Sequence, residues 1–312
     1  MKKRLTINLN KKSTVELLKV SSGSLIVGAY EGPFTEELKK IDEVSKGQLK
    51  KLRKLGELNG KLGQGNYLPA LMGIRAQRTY LVGCGKKGKK LTRQDAIKIL
   101  TKMVSAAISS KSSSAFISLP KLNVTGEGDD WIVQQLAYLC ENNSYTYDAK
   151  LNKKNQKKIS LKRVSLTIDS PIPDTKLNRN IKVGQAIGRG SNAAKDLGNL
   201  PGNVCTPSHL AKESRSAANK YSSLKCTVLG EKQMKKLGMD CLLSVGNGSA
   251  QESKLITLNY QGGKKGDQPY VIVGKGITFD TGGISLKPGG AMDEMKFDMC
   301  GAASVIGTLQ VM

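Results

Sequence analysis

Residues 270–307 read YVIVGKGITFDTGGISLKPGGAMDEMKFDMCGAASVIG, an apolar run at Tyr270–Val273 that breaks into a segment with six glycines before Ala291. A short apolar run ending in a glycine-rich loop is the strand-to-loop junction of an open α/β sheet. There ligands sit in the crevice beyond the carboxyl ends of the strands. Lys275, Asp280, Lys287 and Asp298 stud this segment. From Asp267 to Met312 five acidic residues stand against three lysines, a local −2 within a chain of +25. A phosphate-binding loop is the obvious rival, but Gly274-Lys275-Gly276 lacks the third glycine of a dinucleotide fingerprint and no Gly-Lys-Ser/Thr sequence occurs. Two aspartates beside lysines in a glycine-rich turn suit hard or borderline divalent cations. By residue type alone, a solvated surface loop stays open as the alternative.

Working outward, the chain alternates β-rich and helical stretches, the pattern of an α/β protein. Strands are expected at 24–27, 79–82 and 114–119, and helices at 35–58 and 92–109, the first from Leu38, Ile41, Val44, Leu49 and Leu52 at roughly helical spacing. This suggests a first α/β domain over 1–165. Residues 150–163, KLNKKNQKKISLKR, form a charge run that reads as a solvated hairpin or loop. After Ser-Pro-Ile-Pro at 170–173, apolar residues at helical spacing predict a linker helix over 176–198, ended by Gly198 and Pro201. A second domain over 199–312 is expected to hold a helix capped by Thr206 with Pro207 in its first turn, strands at 226–229, 255–260 and 270–273, a short helix at 231–237, and helical small residues from Gly301.

Composition narrows the chemistry. The chain has 312 residues, 50 Lys+Arg against 25 Asp+Glu, and one histidine, His209. One histidine excludes a His-rich zinc site and an H-E-x-x-H helix, so any metal site rests chiefly on carboxylates. The six cysteines form no C-x-x-C pair and read as buried thiols of a reducing compartment. No apolar run approaches the ~20 residues that span a bilayer, and Met1–Lys12 develops no signal-peptide core. A cytoplasmic protein with no membrane association is expected.

The motifs VGKGITFDTGGISLKP and MDEMKFDMCGAA, with AKDLGNLPGNVC at 194–205, residues 230–238 and SVGNGS at 244–249, resemble the leucyl (cytosol) aminopeptidase family of two-metal exopeptidases. The resemblance implies a macro-like N-terminal α/β domain, a linker helix and an α/β/α zinc-peptidase-like catalytic domain. It implies two divalent ions, Mn²⁺ or Zn²⁺, with Asp280 bridging both and Lys275 and Asp298 completing the ligands of one. Lys275 then has to be a neutral amine. Lys287 takes the catalytic role of stabilising the oxyanion, and Met295 lines the pocket for the substrate's first side chain. Peptide substrates and a homo-hexamer follow from the same resemblance.

One departure stands out, since the family's Asn-Thr-Asp-Ala-Glu-Gly-Arg motif, source of a further Asp, a bridging Glu and an Arg, is absent from these residues. The chain therefore reads as an N-terminal fragment whose catalytic domain is incomplete and which is inactive by itself. The alternative from another class is a non-catalytic, basic DNA-binding protein of the same fold. It is suggested by dual roles among bacterial relatives and by the +27 left on residues 1–266 once the local −2 is taken from the +25.

Overall fold

The computed structural model describes residues 5–10, 16, 18–19, 21–148, 154, 158–264 and 266–312. The chain divides into two units, one through Gly188 and one from Arg189.

The first unit is built on a six-stranded sheet in the order β1-β6-β5-β2-β4-β3. Its strands are β1 (Thr6–Leu9), β2 (Ser24–Glu31), β3 (Gly65–Pro69), β4 (Arg78–Lys86), β5 (Ser114–Ser118) and β6 (Arg163–Thr167). All neighbours pair in parallel except β3, which runs antiparallel to β4 at one edge. The central strand β2 is buried along its length except at Glu31, as a parallel strand covered on both faces must be. Its side chains alternate between two cores. Ile26 joins Ile99, Met103, Val133 and Leu136 on one face, while Leu25 and Val27 join Leu38, Ile41 and Leu49 on the other.

The helix expected over 35–58 is two helices, α1 (Glu36–Val44) and α2 (Gln48–Lys54). Lys46 and Gly47 adopt φ of 54° and 78°, which ends the first helix. The Asp42 carboxylate then accepts the Lys50 amide at 3.0 Å and supports the start of the second. Helix α3 (Arg93–Ser109) begins at a capping box in which Thr92 and Asp95 exchange hydrogen bonds. Helix α4 (Asp129–Asn143), strands β1, β3 and β6 have no counterpart in the sequence reading. Half of the charge run at 150–163 lies outside the described residues; of the rest, 158–162 is irregular, as a loop should be, and Arg163 begins β6.

The predicted linker helix is α5 (Asp174–Gly198). Within the first unit its buried stripe is Leu177, Ile181, Gly184 and Gly188, spaced to face one side. At Gly184 an added Cβ would lie 2.1 Å from the carbonyl oxygen of Gln134 on α4, so only glycine admits so close an approach.

In the second unit, α6 (Pro207–Ala218) is capped by the Thr206 hydroxyl, which accepts the His209 amide at 3.2 Å. Strands β7 (Leu224–Leu229) and β8 (Leu255–Tyr260) pair antiparallel, with α7 (Glu231–Lys236) and α8 (Asp240–Gly246) in the connection. A 3₁₀ segment, Met292–Met299, leads into α9 (Cys300–Leu309). The core gathers Leu197, Cys205, Leu210, Met299, Ala303 and Ile306. Gly190 of α5 and Gly307 of α9 oppose each other so closely that a Cβ on either would sit 2.5 Å from the other's carbonyl oxygen. The fold is mixed α/β in both units, as read from the sequence, with a second correction beside the divided helix at 35–58. Tyr270–Val273 is no strand: the four residues are irregular and solvent-exposed, Tyr270 fully so. β-propensity describes the fit of a side chain to a paired, half-buried surface, and among the described residues no strand runs beside these four. No described helix is long and apolar enough to cross a membrane.

Candidate active site

The segment after Tyr270–Val273 is anchored to the start of α9. At Gly274 a Cβ would come within 2.5 Å of the Gly301 carbonyl, and the Lys275 carbonyl accepts the Ala302 amide at 2.8 Å. This fixes the backbone of Lys275 beside the 3₁₀ segment that carries Asp298. The Lys275 ammonium then reaches Asp298 Oδ1 at 3.0 Å. The other oxygen, Asp298 Oδ2, is buried without a hydrogen-bond partner. A buried carboxylate oxygen left unsatisfied is costly, and its chemistry suits a cation ligand.

Asp280 begins a tight turn. Its Oδ1 accepts the Gly282 amide at 2.9 Å, a geometry helped by the positive φ of Gly282 and Gly283. The Lys287 amide bonds the Thr281 carbonyl at 3.0 Å and folds the loop back on itself. This brings the Lys287 ammonium to 2.6 Å from Asp280 Oδ2, to 3.3 Å from the Asp280 carbonyl and to 3.4 Å from Met295 Sδ. Met295 and Asp298 are three residues apart on the 3₁₀ segment, whose three-residue turn places them on one face.

The five residues singled out in the sequence thus form two ion pairs, Lys275–Asp298 and Lys287–Asp280, with Met295 against the second. The Lys287 ammonium, the Gly282 amide and then the charge of Lys275 hold the Asp280 carboxyl below the usual carboxylate range. The Gly282 amide was missed in the sequence reading; its signal is the Asp-Thr-Gly-Gly order, in which an aspartate precedes a residue able to turn its N–H back. Two carboxylates and one amine are donors suited to Mn²⁺ or Zn²⁺. Among the described residues no three His, Cys, Asp or Glu side chains cluster around a point, so the set has the chemistry of a metal site but few ligands.

Models of two domains of one family match this chain, the N-terminal domain of the cytosol aminopeptidase family over residues 26–154 and its catalytic domain over 192–312. The chain belongs to the cytosol aminopeptidase family. A probable cytosol aminopeptidase of Alkalilimnicola ehrlichii is 44% identical over 93% of this chain, which spans 59% of that relative. A mutant of tomato leucine aminopeptidase superposes with a TM-score of 0.80 at 23% identity, over 99% of this chain and 59% of its own, and shares the fold. The bottromycin maturation enzyme BotP in complex with Mn superposes with a TM-score of 0.69 at 25% identity, over 93% of this chain and 56% of its own. The chain accordingly spans about three-fifths of the length of these cytosol aminopeptidase relatives.

Proposed function

We propose that this chain carries part of the active site of a metal-dependent aminopeptidase that releases N-terminal residues such as leucine from peptides. The observation that supports it most is the pairing of Lys275 with Asp298 and of Lys287 with Asp280, with one buried carboxylate oxygen of Asp298 left unsatisfied.

Asp280 and Asp298 would hold divalent ions, with Lys275 as a third ligand in its neutral form. When bound, such ions supply an acidified water and a docking point for the substrate's free amine. The chain's own residues do the rest. Asp280, rigidified by the Gly282 amide, keeps both oxygens oriented. Lys287 pairs with Asp280 while that carboxylate is free. Once Asp280 is engaged elsewhere, the Lys287 ammonium has donors left for the scissile carbonyl oxygen, where negative charge develops as the carbonyl is attacked. Met295, against the Lys287 ammonium, offers an adaptable apolar wall to the first side chain of the peptide.

The chain of 312 residues provides two of the carboxylates a two-metal centre needs, so it is expected to bind Mn²⁺ without turning over leucyl-p-nitroanilide. Mn²⁺ titration followed by electron paramagnetic resonance tests the ligands: Asp280→Asn and Asp298→Asn should each weaken binding, and unchanged binding in both overturns the assignment. In a longer form that carries the remaining groups, Lys287→Ala should retain metal and lower kcat by about 10² to 10³. Robust Mn²⁺-dependent turnover by the 312-residue chain would refute the need for further carboxylates.

A further inference from the structure

We propose a second site, in the first unit, that binds a small phosphorylated polyol such as a sugar monophosphate. A cavity of about 700 Å³ opens where β2, β4 and β5 begin, and Arg75, Arg78 and Lys111 line it together with Ser22, Ser112 and Ser114. Among the described residues no aspartate or glutamate lines it. Three cations lining one cavity with no carboxylate beside them repel one another, and an anion placed among them relieves that repulsion. None of the three is in an ion pair among the described residues. The Arg78 guanidinium instead donates to uncharged acceptors, Ser112 Oγ at 3.2 Å and Gln77 Oε1 at 3.3 Å, which hold it in place and leave its charge unneutralised.

The walls are fixed by hydrogen bonds. Ser114 Oγ accepts from the Gly23 amide at 3.3 Å and lies 3.4 Å from Ser22 Oγ. The end of α3 adjoins the cavity, and a helix C-terminus by itself repels anions. Here three of its last carbonyls accept hydrogen bonds within the chain: the Ser110 amide bonds Ala106, the Ser110 hydroxyl bonds Ala107 at 2.7 Å, and the Lys111 amide bonds Ile108. Lys111 follows directly with φ of 54°, a left-handed conformation that costs a side-chain-bearing residue about 1 kcal/mol or more. Glycine or asparagine would end the helix with less strain, so a lysine at that position gives up stability for a charge at the cavity. Guanidinium forks and an ammonium together match the several oxygens of a phosphate. The volume exceeds that of one phosphate and lies in the range of small-molecule sites. The serine hydroxyls and Gln77 complement ligand hydroxyls.

Isothermal titration of the whole chain with ribose 5-phosphate in about 0.15 M salt tests this. Saturable 1:1 binding is expected, with no binding of uncharged ribose and weaker binding of inorganic phosphate, which fills only part of the cavity. Lys111→Gly removes the charge while relieving the strained backbone, so it folds at least as well as the parent and should weaken binding at least tenfold. Arg75→Gln, an exposed position, should do the same. Absence of saturable binding at millimolar ribose 5-phosphate, equal binding of ribose, or undiminished affinity in both variants overturns the proposal.

Discussion

Replacing Gly184 by alanine sets helix propensity and packing against each other, with opposite signs. In an exposed helix interior, Gly→Ala stabilises by about 1 kcal/mol. At Gly184 the new Cβ meets the Gln134 carbonyl oxygen at 2.1 Å, the Gln134 carbonyl carbon at 2.9 Å and Ala137 Cβ at 3.0 Å. Two of these are backbone atoms of a helix, which no rotamer change moves aside, so α5 and α4 must separate by roughly 1 Å to restore an ordinary carbon–oxygen contact. Overpacking of this kind costs about 1 to 3 kcal/mol, here toward the upper end. The net is a destabilisation of about 1 to 2 kcal/mol, or a Tm lowered by about 2 to 8 °C for a unit of this size. Trp131, the single tryptophan, lies on α4, so its fluorescence reports unfolding of the first unit alone. Asn178→Ala, at an exposed position of the same helix, provides the control and should raise the midpoint by a few tenths of a kcal/mol. A Gly184→Ala midpoint equal to or above the parent's would refute the close helix contact.

Asp280 is held below its ordinary range chiefly by Lys287; its folded-state value being depressed, the pairing persists at neutral pH and is lost only as pH falls through that value. Carbon-13 NMR titration of the Asp280 carboxyl should show a midpoint below the ~4 of a free aspartate, moving up in Lys287→Ala; no movement contradicts the ion pair. The exposed Cys241 should be the first thiol alkylated by iodoacetamide, whereas Cys84, buried and pushed up to about 12, and Cys205, pushed up to about 11, should react only on unfolding. Peptide mapping of the labelled protein decides, and early labelling of Cys84 would contradict its burial. Phe116→Ala removes a fully buried ring from the centre of the sheet and should cost about 3 to 5 kcal/mol in urea unfolding. A loss below 1 kcal/mol would mean the ring is not packed there.

The elements legible in the sequence are those with punctuation at their ends. Thr92 and Asp95 announce α3, Thr206 and Pro207 announce α6, and Gly238, in the left-handed region, ends the helix read at 231–237. Strand β3 escaped because Gly65–Pro69 carries a glycine and a proline, tolerable only at the sheet edge it occupies. Helix α4 starts after Gly128 without a side-chain cap, and its first-turn aspartates, Asp129 and Asp130, are the signal the sequence reading passed over. The opposite error, Tyr270–Val273, shows that β-propensity predicts a strand only where a neighbour exists to pair with it. At the candidate site, spacing singled out the charged residues. Their pairing was not legible, because it depends on how Gly274 docks on α9 and how the loop folds back from Thr281 to Lys287.

The register of β1 on β6 joins Thr6–Leu9 to Arg163–Leu166, and this sets the order of events on a translating ribosome. At about 5 to 20 residues per second, on the order of ten to thirty seconds separate synthesis of the two strands. Throughout that interval β1 has no partner; β2 can pair with β4 and then with β5 as each is made, and from then until β6 follows, β5 keeps an open edge on the side that β6 later fills. The nascent chain therefore presents a half-built sheet with a pairing edge exposed, the state most open to capture by a chaperone or by another nascent chain on the same message. Slowing elongation between β5 and β6 should lengthen that exposure without changing the finished fold.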